Sequence, residues 1–219
     1  EKINFYGLGQ CDYFLVQMLE WNYMPDKVRL NAQSNITPVI AQTSDFDIHI
    51  EVIKDRINNV DVLTTIDGSE REKLEALIEN VYENPFAFGQ KSTRNQFLHP
   101  DEKKHDVLIS GQSIHYSDTK RNALIQRISS ILGCEIFDYL PPEEYQAKLR
   151  QARAVFCFAR NKRTLLTRAF DALNSGCLPI LPKDNMLTHL LPSGTFLTFD
   201  DENIPTSEEI ENAYIKFWK

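Results

Sequence analysis

Short apolar runs alternate along this chain with longer stretches in which apolar residues recur every three or four positions. The short runs predict strands at 3–7, 37–41, 60–66, 106–110, 135–140, 154–159, 177–181 and 195–199. The longer ones predict helices at 13–21, 46–57, 69–81, 120–132, 141–152, 165–174 and 207–218. Ser69 with Glu72 forms a capping box ahead of the third of these, and Pro141 and Pro142 suit a helix start, where the first N–H groups have no intrahelical partner. Gly176 suits the left-handed position that ends a helix, and Pro179 places its strand near an edge or at a bulge. Strand–helix alternation of this kind implies an α/β fold with largely parallel sheets.

The alternation breaks once. Residues 84–104 hold two prolines, many polar residues and no period, so they read as a connection between domains. The expected division is a reduced first domain at 1–95, a Rossmann-like second domain at 96–205, and a closing helix at 206–219 that packs back across.

Composition narrows the function. An apolar share of 42% is enough to bury a core, and a net charge of -7 argues against nucleic acid as a partner. No apolar run approaches the ~18 residues of a membrane span, and no secretory pattern opens the chain. Cys11, Cys134, Cys157 and Cys177 lie far apart without a zinc spacing, which predicts reduced thiols in a cytoplasmic protein, at most peripheral to a membrane.

Against this acidic background one basic cluster stands out. Arg160, Lys162, Arg163 and Arg168 follow the apolar run 154–159 and enter the next helix. In open parallel sheets ligands bind beyond the strands' carboxyl ends, and a helix start adds unpaired N–H groups that favour phosphate. Arginine adds bidentate hydrogen bonds to phosphate oxygens. A solvated basic loop is the alternative. Asp171, three residues after Arg168, either accepts from ligand hydroxyls or forms an ion pair within its helix. Gly111 permits close backbone approach, or simply turns the chain; Tyr139 stacks on a base, or fills the core. Gly7 and Gly9 imitate a dinucleotide fingerprint, but Asp12 holds its third glycine position and the motif fails. Asp45, Asp47 and His49 are acid/base candidates, with helix capping as the alternative for the two aspartates.

The run from Thr167 to Leu181, with Asp171, Ala172, Leu173, Gly176 and Pro179 in succession, resembles the signature of group 1 and exostosin-like glycosyltransferases of the GT-B fold. Residues 140–158 resemble the helix and strand ahead of that family's donor loop, and 84–111 its linker into the second domain. The resemblance implies two Rossmann-like domains and a nucleotide-sugar donor, such as a UDP- or GDP-sugar, used without a metal or other cofactor. It implies a carbohydrate or lipid-linked acceptor on the first domain. By position it assigns Asp171 to the ribose, and Arg160, Lys162, Arg163 and Arg168 to the diphosphate and sugar. Gly111 and Gln112 would face the phosphates, Lys120 or Arg121 would supply a cation, and Tyr139 would lie near the base. Asp45, Asp47 or His49 would be the acceptor's base. The sequence departs from the family at position 163, where Arg163 replaces an acidic residue of the retaining members, and in its short first half. A catalytically silent binding or assembly module is therefore the alternative, with an epimerase as a third.

Overall fold

The computed structural model describes residues 14–16, 38–43, 46–57, 60–65, 71–83, 97–110, 119–137, 140–159, 162 and 166–219, with the backbone alone at 14–16, 39, 46–49 and 83. The chain divides into two compact units, Glu1–Phe86 and Ala87–Lys219. The strand expected at 3–7, the glycines of the failed fingerprint, Cys11, Ser69 and most of the connection at 84–104 lie outside the described residues.

The first unit is a parallel α/β sheet. Its strands are β1 (Phe14–Val16), β2 (Val39–Thr43), β3 (Val62–Thr65) and β4 (Val81–Glu83), in the spatial order β1-β2-β3-β4. All three pairings are parallel, with Ala41 opposite Leu63 and Leu63 opposite Val81. Helix α1 (Phe46–Ile57) connects β2 to β3, and α2 (Arg71–Glu75) connects β3 to β4. Strands laid down in chain order, each joined by a right-handed crossover, put their helices on one face. Accordingly Ile53 and Ile57 of α1 and Leu74 of α2 share one core with Ala41, Leu63 and Val81.

Two expectations are corrected here. Residues 14–16 form a strand rather than part of a helix at 13–21, because Phe14, Leu15 and Val16 pair with Val39, Ile40 and Ala41. The helix expected at 69–81 stops at Glu75, and Val81 opens β4 instead. Leu74, Leu77, Ile78 and Val81 keep a helical spacing, but pairing with β3 satisfies the backbone of 81–83, which a continued helix could not do for the sheet.

The second unit is a larger doubly wound sheet. In chain order it comprises β5 (His105–Ser110), α3 (Thr119–Leu132), β6 (Glu135–Phe137), α4 (Pro142–Gln151), β7 (Ala152–Cys157) and α5 (Thr167–Asn174). It continues with β8 (Leu178–Pro182), α6 (Leu187–Leu190), β9 (Leu197–Phe199) and α7 (Ser207–Trp218). The spatial order is β6-β5-β7-β8-β9, all parallel. Numbered within the unit this is 2-1-3-4-5, one of the two common doubly wound orders. The architecture is a Rossmann-like α/β fold.

Alternation along the strands sorts the core into two faces. Val107, Ile109, Ala154, Phe156, Leu178 and Ile180 pack against α3 and α7. Leu108, Val155, Cys157 and Leu181 pack against α4 and α5. β8 lies one strand in from the β9 edge; Pro179 sits opposite Val155 and precedes the ladder to β9, which starts at Ile180. At the sheet's amino edge the Lys103 ammonium donates to the carbonyls of Ala152 (2.8 Å) and Gly176 (2.7 Å) and lies over the Tyr214 ring. Gly176 ends α5 with φ 65, the left-handed geometry its position requires. α7 starts with a capping box in which Thr206 and Glu209 each bond the other's backbone N–H.

Candidate functional site

The order of the second sheet selects one place. Its sequence reverses between β5 and β7, so the crossover through α3 leaves on one face and that through α5 on the other. The connecting loops part there, and ligands of such sheets bind in the crevice this opens at the carboxyl ends. Those ends are Ser110 and Cys157, which are register partners.

On the α4–α5 side of this point two side chains converge. Tyr145 of α4 donates its hydroxyl to Oδ2 of Asp171 on α5 at 3.4 Å, a long hydrogen bond. Ser110 at the end of β5 acts on the same phenol, lowering its pKa, and the Tyr145 ring is held against Phe137 with centroids 6.1 Å apart. Burial raises the Asp171 carboxyl above its ordinary range, while the Tyr145 hydrogen bond and the Arg168 charge pull it back. Tyr145 is pushed up, first by burial and then by the neighbouring charges of Asp171 and Cys157. Burial lifts the Cys157 thiol to about 12, so it sits there as a protonated, unreactive group. The result is a half-buried carboxylate at the mouth of the sheet, suited to accept from a ligand's hydroxyl groups.

One cation acts on it. Arg168 is the second residue of α5 and half-buried, and its charge acts on Asp171, Tyr145 and Cys157. The N-cap of α5 is Leu166, which has no side-chain acceptor for the first N–H groups. Arg121, in the first turn of α3, lies over the ring of Phe158, 5.8 Å from its centroid and just past the end of β7. Lys120 beside it is exposed. Lys162, in the loop after β7, pairs with Asp184 at 2.9 Å with its side chain 74% exposed, and its carbonyl accepts from Met186 N–H at 2.7 Å. That ties the loop after β7 to the loop after β8.

Of the residues singled out in the sequence, the structure thus brings Arg168 and Asp171 together and sets Arg121 beside β7's end. Asp45, Gly111, Gln112, Tyr139, Arg160 and Arg163 lie outside the described residues. Asp47 and His49 belong to α1, described there by backbone alone. Tyr145 and Ser110 were not among the sequence candidates. The available signal was a tyrosine on a helix facing the core, whose hydroxyl needs a partner once buried.

A groove of about 670 Å³ lies elsewhere in the unit, between β9 and α7, lined among others by Thr198, Asn203, Glu209 and Lys216. Two of its polar groups serve local structure: Glu209 caps α7, and Asn203 closes a turn on Asp200. The switch point therefore remains the better-equipped site. Among the described residues no cluster of His, Cys, Asp and Glu is arranged to hold a metal ion, and no helix is long and apolar enough to cross a membrane.

No known family pattern matches this sequence, and no curated protein matches it.

Proposed function

We propose that this chain is a glycosyltransferase that moves a sugar from a nucleotide-sugar donor to a hydroxyl acceptor, without a metal, on a GT-B arrangement of its two units. The observation that carries the reading is Asp171. It is a half-buried carboxylate at the point where the second sheet reverses, one turn from Arg168, in a segment resembling the donor-binding signature of group 1 and exostosin-like enzymes. In this reading Asp171 accepts from the donor's ribose. Arg168, Arg121 and the start of α5 stabilise the charge that grows on the diphosphate as the bond to the sugar breaks. Arg160, Arg163, Gly111 and Gln112 supply further donors, and Tyr139 packs on the base. The acceptor, a carbohydrate or lipid-linked hydroxyl, binds on the first unit, where Asp45 or His49 takes its proton. The compartment proposed is the cytoplasm, at or near a membrane surface, in keeping with the free and buried Cys134, Cys157 and Cys177.

Arg163, standing eight residues before Asp171 where retaining relatives carry an acid, favours a second reading: a binding or assembly module that holds the same ligand without turnover. Calorimetry against a panel of UDP- and GDP-sugars tests the shared part. One of them should bind, and Asp171→Ala or Arg168→Ala should weaken it at least tenfold, since a hydrogen bond to a charged group is worth ~1.5–3 kcal/mol. Unchanged affinity in both variants overturns the proposal. Nucleotide release that depends on an added acceptor sugar then separates the enzyme from the silent module; release without an acceptor points to the epimerase.

A further inference from the structure

We infer that Tyr145 is a positioning residue for Asp171: it fixes one carboxylate oxygen, so that the other is presented to a single hydroxyl of the bound ligand. The inference rests on the nucleotide-binding reading above and adds to it a selectivity that the reading does not contain.

The geometry supports it from two sides. Tyr145 reaches the site from α4 and Asp171 from α5, so two separate crossovers meet in one hydrogen bond. The ring's place is set by Phe137, and the hydroxyl points at Oδ2 of Asp171, 3.4 Å away. A carboxylate free to rotate offers two equivalent oxygens and can grip both hydroxyls of a vicinal diol at once. With Oδ2 engaged by Tyr145 that symmetry is broken, and among the described residues Oδ1 is the oxygen left for the ligand. Arg168 cannot set this direction in the same way, because it acts on Asp171 through its charge. Removing a phenol hydroxyl leaves the ring's packing in place, so the consequence is one of orientation, not of folding.

The probes are a nucleoside diphosphate of the base that binds and its 2′-deoxy and 3′-deoxy forms, measured by calorimetry on the full chain. In the wild type, loss of one hydroxyl should weaken binding tenfold or more, and loss of the other less than about twofold, given that a charged hydrogen bond is worth ~1.5–3 kcal/mol. In Tyr145→Phe the two deoxy forms should differ less than about twofold, with an unchanged melting temperature. A second readout is the acid limb of the binding profile. Asp171 is faced by Tyr145 from α4 and Arg168 from its own helix, and Tyr145 in turn by the Cys157 thiol of β7. Of these, Tyr145 donates the hydrogen bond that favours the charged carboxylate, so Tyr145→Phe should move the midpoint of binding to higher pH.

Equal losses for both deoxy forms in the wild type overturn the inference, as does unchanged selectivity in Tyr145→Phe. If Asp171→Asn weakens the parent nucleotide while Tyr145→Phe changes neither selectivity nor midpoint, the inference alone fails. If Asp171→Asn leaves affinity intact, or no nucleotide binds, the functional reading itself fails and takes the inference with it.

Discussion

The two sheets are built from the same strand–crossover–strand unit, yet they differ at their carboxyl edges. In the first unit the four described strands follow chain order, and both described helices cover one face. The residues that end β2 and β3 there, Thr43 and Thr65, are uncharged and fully buried. In the second unit the order reverses between β5 and β7, helices cover both faces, and the ends of those strands meet a carboxylate, a phenol and a guanidinium. Both units offer polar groups at the same edge. The reversal parts the connecting loops in the second sheet alone, and Tyr145, Cys157 and Asp171, three groups with raised pKa values, lie together there. Strand order, more than composition, sets the two carboxyl edges apart.

The largest expected effect tests whether the two units are separate bodies. Phe156 is fully buried in the second sheet, with ring centroids 5.1 Å from Phe199 and 6.3 Å from Phe158. Phe156→Ala should cost ~3–5 kcal/mol. Followed by amide exchange in urea, residues of the second unit should lose protection at lower denaturant, while Ile53 and Leu63 of the first keep theirs. Equal loss in both would mean one cooperative body. A smaller effect is expected at Gly176. An added Cβ there would meet ring carbons of Phe97 and Trp218 at 3.3 Å, and the φ of 65 is unfavourable for alanine by ~1–2 kcal/mol. Gly176→Ala should therefore lower the melting temperature by a few degrees, on the order of 2–4 °C per kcal/mol for a chain of this size. An unchanged value would contradict the cap.

Much of this fold is legible in the sequence, for reasons that differ by element. Helices α1 and α7 match their expected spans end to end, because a long apolar period with clear stops leaves little choice. The apolar run of β7 reads as a central strand because burial on both faces removes alternation. Short elements are less readable. Val81 continues the helical spacing of Leu74, Leu77 and Ile78, and only its pairing partner, Leu63, makes it a strand. The same holds for residues 14–16, whose neighbours Met18 and Leu19 extend a helical pattern. For the site, the sequence singled out Arg168 and Asp171, since a cation and an acid one turn apart at a helix start are visible in one dimension. Tyr145 was not, because it comes to Asp171 from another element, 26 residues away in the chain. Nor does a list of strands reveal the reversal that makes their meeting point a crevice.

The smallest effect expected is the most diagnostic of the contrast between the sheets. The Asp171 carboxyl is raised above 3.8 in the folded chain, burial being the largest cause. Between the unfolded value and the raised one the folded state holds more protons than the unfolded state. Stability contributed by this group is thus present at low pH and is lost as pH rises through the folded value. Asp171→Asn should accordingly be more stable than the wild type at neutral pH, with the difference shrinking as pH falls through that window. Ligand affinity should move the other way, since protonation removes the acceptor: acid strengthens the fold and weakens binding. The matching change in the first sheet is Thr43→Val, which removes a buried hydroxyl without a hydrogen-bond partner among the described residues. Its effect on stability should be near zero or favourable, and the same at every pH, because nothing there titrates with the substitution. Melting curves of both variants from pH 4 to 8 check the pair. If Asp171→Asn parallels the wild type across that range, the carboxylate is not held charged against its burial, and the second sheet has no more claim to the chemistry than the first.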